Sequence, residues 1–141
     1  MKKAIVLAGV SGVGKTHTRL TDPELKDLPH LDIADVYREF PEFDWVEAFW
    51  ALVKQVRSAL GKHPAVVIEG YFLPGSVTRR WLLDDLKVAG AQVEVRDLWA
   101  PIEVCQERIA AQFERGEISA AECRRRIELL KACWQPQEDE Q

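Results

Sequence analysis

Short continuous apolar runs alternate with amphipathic stretches along this chain. Lys3 to Ala8 is apolar at nearly every position and is ended by glycine, which predicts a short strand buried on both faces. Lys15 to Leu20 predicts only a short helix, because Asp22-Pro23 stops it. Leu28 to Ile33 predicts a second short strand. From Glu42 to Leu60, apolar residues recur at spacings of three and four: Phe43, Val46, Phe49, Trp50, Val53, Val56 and Leu60. That pattern predicts a helix, with Gly61 as its stop. Trp45 and Leu52 widen the apolar arc, so this helix is expected to touch two neighbours.

Ala65 to Gly70 (AVVIEG) predicts another buried strand whose first polar residue, Glu69, lies at its C-terminal end. Ser76 to Ala89 predicts a helix with Val77, Trp81, Leu82 and Leu86 facing inward. Gln92 to Leu98 predicts a last strand. Pro101 opens a helix at the position proline favours, and this helix runs to Arg115-Gly116. Ser119 and Glu122 have capping-box spacing and start a final helix with the stripe Cys123, Ile127, Leu130 and Trp134. Strands alternating with helices imply right-handed crossovers and a parallel sheet covered on both faces.

The length of 141 residues suits one domain, with 47% hydrophobic and 30% charged residues. No apolar run approaches the ~20 residues of a membrane span, so no membrane partner is expected. The N-terminal MKKAIVLAGVSG has the lysines of a leader, but its apolar stretch is too short for one. A cytoplasmic location is expected. Cys105, Cys123 and Cys133 lack Cys-x-x-Cys spacing and read as packed, reduced thiols. The formal charge is −4, and leaving out Glu138, Asp139 and Glu140 brings it to −1. No broad basic surface is indicated, although a local basic cleft is compatible with this balance.

Gly9-Val-Ser-Gly-Val-Gly-Lys-Thr16 changes the picture. It fits GxxxxGK[ST] in full and sits between a predicted strand and a predicted helix, as its mechanics require. Glycines let backbone N–H groups converge on phosphate oxygens, and the helix start adds unpaired N–H groups and a positive dipole end. Lys15 supplies a mobile cation, and Thr16 offers a hydroxyl to Mg2+. ATP and Mg2+ are the expected cofactors. Asp35 and Arg38 are three apart, just beyond the second strand, where a parallel sheet turns its crevice toward the phosphate loop. Asp35 either accepts a proton from an acceptor hydroxyl or caps a short helix. Arg38 either fixes the acceptor or is solvated. Glu69 stands where an acidic residue can reach the metal through water, or it makes a structural hydrogen bond. Arg108 and Arg115 are seven apart, within about 20° on one helix face, and suit either a lid or a solvated flank. Arg124-Arg125-Arg126 cannot form one patch on a helix, and Arg125 points away from the apolar stripe. Arg79 and Arg80 are weaker candidates for touching an acceptor. Trp50, Trp81 and Trp134 fall on core stripes, whereas Trp45 and Trp99 are less readily assigned.

From MKKAIVLAGVSGVGKT, through Asp35-Val36-Tyr37-Arg38, to Arg115-Gly116, the chain resembles the kinase domain of bacteriophage polynucleotide 5′-hydroxyl kinase. More broadly it is similar to small P-loop kinases, including zeta-type toxins and phage enzymes acting on hydroxymethylated DNA bases. The resemblance implies an α/β, three-layer P-loop NTPase fold of nucleotide-kinase type. Its sheet would be short and parallel, with about four or five strands, beneath an arginine-bearing helical lid. The domain would cover 1–134, followed by an acidic, disordered tail over 135–141. Gly9, Val10, Ser11, Gly12, Val13, Gly14, Lys15, Thr16 and His17 would bind ATP with Arg108 and Arg115. Lys15, Asp35, Arg38 and Arg115 would be catalytic, Asp35 as general base, and Thr16 and Glu69 would serve the metal. The implied reaction moves the γ-phosphoryl group of ATP to a hydroxyl on nucleic acid. A small-molecule hydroxyl or a nucleotide-gated switch are the alternatives.

Overall fold

The computed structural model describes residues 1–136, so most of the acidic stretch 135–141 lies outside the described residues. The elements are β1 (Lys3–Ala8), α1 (Lys15–Thr21), β2 (His30–Asp32), α2 (Ile33–Glu39), α3 (Trp45–Lys62), β3 (Ala65–Gly70), α4 (Val77–Val88), β4 (Gln92–Asp97), α5 (Ile102–Glu114) and α6 (Ala120–Cys133). The four strands form one parallel sheet in the order β2-β3-β1-β4. Central position explains why β1 and β3 are apolar except for Lys3 and Glu69, as both their faces and both their edges are covered.

The period-two alternation of a strand assigns its faces. Ala4, Val6 and Ala8 of β1, with Val66 and Ile68 of β3, pack against α2, α3 and α4 through Val36, Phe49, Leu52, Val56, Leu82 and Leu86. Ile5, Leu7 and Val67 point the other way, onto Leu25 and Leu28. A third cluster joins Val10 and Val13 of the phosphate loop to Ala100, Cys105, Ile109, Ile118 and Leu130, beneath the α5–α6 hairpin.

Several expected boundaries shift for local reasons. Helix α3 begins at Trp45 instead of Glu42, because Asp44 and Glu47 form a reciprocal capping box. Phe43, expected inside the helix, stacks on Phe40 just before it. Gly61 does not end α3, which runs on to Lys62 with His63 as its C-cap before Pro64. Val77 and Trp50 are not core residues: they are 46% and 47% exposed at the outer edge of the α3–α4 surface. Cys105, Cys123 and Cys133 are free thiols, and Ser119 caps α6 by accepting from the Glu122 amide.

Candidate active site

Parallel strands deliver their C-terminal ends to one edge of the sheet, and the phosphate loop leaves β1 there. Gly12 and Gly14 have φ values of 84° and 104°, the left-handed region open to glycine. Gly12 also has no room for a side chain, since a Cβ would lie 2.6 Å from the Cys105 carbonyl oxygen on α5. Gly14 is the N-cap of α1 and supplies no capping side chain, so the first amides of that helix lack intrahelical partners. Val10 and Val13 turn into the α5–α6 cluster, leaving only their backbone for a ligand.

The loop borders a cleft of about 1070 Å³ whose lining includes Ser11, Gly12, Gly14, Lys15, Thr16 and His17. The Lys15 ammonium donates to the carbonyls of Gly9 and Val10 and lies 4.9 Å from the centroid of the Tyr71 ring. Desolvation pulls its pKa down to about 8, against the opposing fields of Asp32 and Glu69, while nearby Arg126 lowers it further.

Asp32 ends β2 directly beside Glu69 of β3 in the strand register. Asp32 Oδ1 accepts from the Ala34 amide and so caps α2, the role Asp35 was weighed for above. Glu69 is fully buried. Its Oε2 accepts from Arg19 Nε at 2.7 Å and its Oε1 from the Thr16 hydroxyl at 3.4 Å. Burial raises the Glu69 pKa and the Asp32 charge adds to that; Arg19 and Lys15 oppose both. No group of three or more His, Cys, Asp or Glu that could hold a metal occurs among the described residues. The Thr16 hydroxyl lines the cleft, whereas Glu69 lies buried behind it, outside the lining, with its carboxylate engaged by Thr16 and Arg19. The Thr16 hydroxyl fits Mg2+, which takes one or two protein oxygens and completes its shell with phosphate and water, while Glu69 makes the structural hydrogen bonds that were its alternative role.

Asp35 and Arg38 lie on α2, paired at 2.7 Å, each about half exposed, and both line the cleft. From the opposite wall Arg108 Nη1 donates to the Gly12 carbonyl at 3.0 Å, holding a guanidinium over the loop. Arg115 lines the cleft too, but its guanidinium pairs with Glu117 at the turn between α5 and α6. Arg79 is tied to Asp97 and to the Phe72 carbonyl, which removes it as an acceptor contact.

Three charged residues of the site were missed in sequence: Arg19 (the cation on Glu69), Asp32 and Arg126. Asp32 matters only because strand pairing sets it beside Glu69. Arg126 is held by Gln112 and Glu122 at the cleft wall, close enough for its charge to act on Lys15. A signal for Arg126 did exist: it lies three residues after Cys123 and four before Leu130, on the apolar stripe itself.

No family model matches the sequence, and no curated protein matches it significantly. Solved structures do. APS kinase CysC of Mycobacterium tuberculosis, in complex with AMPPNP and APS, is 20% identical with a TM-score of 0.60, covering 84% of this chain and 76% of that one. Shikimate kinase of Acinetobacter baumannii, in complex with shikimate, is 18% identical with a TM-score of 0.57, covering 94% and 76%. The fold is that of the P-loop kinases. A chain of the Pnkp1/Rnl/Hen1 RNA repair complex shares it at 18% identity and a TM-score of 0.60, over 93% of this chain but only 44% of that one. Of the four or five parallel strands expected above, the sheet has four, and the GVSGVGKT loop follows its central strand β1. The narrower likeness to the phage polynucleotide enzyme is not singled out by these comparisons. No helix among the described residues is long and apolar enough to cross a membrane.

Proposed function

We propose that this protein is an ATP-dependent phosphotransferase that moves the γ-phosphoryl group to a hydroxyl on nucleic acid, either a polynucleotide 5′-hydroxyl or a hydroxymethylated DNA base. One observation carries the reading: Lys15 and the Asp35–Arg38 pair border the same cleft, one at its phosphate loop and the other on α2. The P-loop kinase fold supports it. Bound Mg-ATP would supply the transferable phosphoryl group. The chain's own residues do the rest by position and charge. Lys15 and the first amides of α1 bind phosphate oxygens, and Thr16 presents its hydroxyl toward the metal with the Glu69 carboxylate behind it. Asp35 takes the proton of the attacking hydroxyl while Arg38 holds that carboxylate in place. Arg108 and Arg126 face the phosphates from the α5–α6 side, Arg115 stands at the outer turn, and the apolar walls exclude water.

A second reading keeps this chemistry and replaces the acceptor with a small-molecule hydroxyl on a nucleotide-sugar, nucleoside or antibiotic. The near-neutral charge of the chain without its acidic tail residues favours it. ATP labelled in its γ-phosphate separates the readings. Label is expected in 5′-hydroxyl or hydroxymethylated DNA, whereas label in a nucleoside or sugar supports the second reading. Label found only in free phosphate would indicate a nucleotide-gated switch and defeat both. Asp35→Asn should keep nucleotide binding and lose transfer, and full transfer by that variant removes Asp35 as the base.

A further inference from the structure

The cleft has two chemically different ends. Toward the phosphate loop its lining is charged, with Lys15, Arg108 and Arg126. At α2 and the start of α3 the lining adds the aromatic rings of Tyr37, Trp45 and Phe49 beside Asp35, Arg38 and Arg125. Trp45 is the unusual member, for it lines the cleft while remaining 51% exposed. It is also held rigidly. Its indole stacks on Trp81 with centroids 6.0 Å apart and planes 14° apart, and Trp81 stacks in turn on Trp50 at 5.8 Å and 23°. Phe49 packs against Trp81 from within the core. Stacked on Trp81, Trp45 still leaves about half of its surface exposed. The reciprocal Asp44–Glu47 cap fixes the backbone at this first residue of α3. The charge of Asp44 reaches the Tyr37 phenol, so this corner abuts the helical turn that carries Asp35 and Arg38.

We infer that Trp45 is a specificity-determining residue of the acceptor end: its exposed indole stacks on a planar nucleobase whose attached hydroxyl is presented to Asp35. This deepens the phosphotransferase reading and rests on it. A ring already fixed by its neighbours stacks without losing side-chain freedom, which makes it an effective platform. The charges nearby agree with a base at this position and a phosphate farther along. Asp44 and Glu47 flank Trp45 but are engaged with each other's backbone amides, so they leave stacking as the contact. Arg38, and Arg125 lying 6.0 Å over the Tyr37 ring, are the cations facing this end.

The test uses protein loaded with AMP-PNP and Mg2+ and three probes. These are 2′-deoxyadenosine, single-stranded DNA with a 5′-hydroxyl adenosine end, and the same strand with an abasic 5′ end. Binding is measured by calorimetry or fluorescence anisotropy, independently of turnover. Wild type should hold the base-bearing strand about 5- to 150-fold more tightly than the abasic one, the range set by stacking of one base. Trp45→Ala should abolish that preference, and Trp45→Phe, which keeps an aromatic face, should restore part of it. Tight binding of deoxyadenosine itself would place the source of the base in free nucleosides, and binding of the strand alone would place it at strand ends. Equal affinity of wild type for the two strands, or an undiminished preference in Trp45→Ala, overturns the inference. A preference that persists without any label transfer from ATP would instead defeat the phosphotransferase reading and leave the stacking platform standing.

Discussion

Replacing Lys15 with methionine should stabilise the nucleotide-free protein, although it removes the cation proposed above to bind phosphate. Desolvation lowers the Lys15 pKa from 10.5 to about 8. At 1.36 kcal/mol per pKa unit, the charged form is disfavoured in the folded state by about 3 kcal/mol relative to the unfolded chain. Methionine also gives up the two hydrogen bonds to the Gly9 and Val10 carbonyls, a loss of about 1–2 kcal/mol. The net gain at pH 7 is therefore about 1–2 kcal/mol, or roughly 3–8 °C in Tm. Its pH dependence follows from the direction of the shift. Between about 8 and 10.5 the unfolded chain holds more protons on Lys15 than the folded one, so wild-type stability rises with pH through that window. The advantage of Lys15→Met should accordingly be complete below pH 8 and largely gone above pH 10.5. Urea denaturation of both proteins at pH 7, 9 and 10.5 measures it, with AMP-PNP expected to stabilise only the wild type. A variant less stable at pH 7, or an advantage indifferent to pH, would refute the argument that this ammonium is held desolvated.

Three further outcomes are expected. Arg19→Met should cost about 3–5 kcal/mol by leaving the buried Glu69 carboxylate without its cation, while Arg19→Met/Glu69→Gln should recover most of that loss in a double-mutant denaturation cycle. Arg108→Ala should weaken AMP-PNP binding about 10-fold or more through loss of the guanidinium held at Gly12, whereas Arg115→Ala, paired with Glu117, should change calorimetric affinity far less. Gly12→Ala should abolish nucleotide binding and lower Tm, because its Cβ meets the α5 backbone, while Gly75→Ala, equally left-handed but in open space, should lose only about 1–2 kcal/mol and keep binding.

The elements most legible in sequence are those whose signals are local. Strand β3 runs over Ala65–Gly70 as its apolar run predicts, and the glycine loop lies where its spacing places it. Strand β2 has only three residues, too few for a period, so Leu28 to Ile33 overstates it. Trp50 shows a different limit: a helical stripe records which residues share a face, but the width of the covering partner decides which of them are buried. The site follows the same division. Lys15, Thr16, Asp35 and Arg38 were readable from motif spacing, and all four line the cleft. Asp32 acquires its influence on Lys15 from strand register, and Arg126 from the angle at which α6 meets α5; neither can be read from neighbours in sequence. Arg115 lines the cleft, but its pairing with Glu117 depends on the turn at Gly116, where φ is +74°.

The grouping of Val10 and Val13 has a mechanical consequence. Both anchor the glycine loop in the apolar cluster of the α5–α6 hairpin, apart from the main core against α3 and α4. With Gly12 resting on the Cys105 backbone as well, the loop is upholstered by the hairpin more than by the sheet from which it springs. The glycine loop and the helix bearing Arg108 thus share one packed unit, and the Arg108 guanidinium on the Gly12 carbonyl is the polar clasp across that same seam.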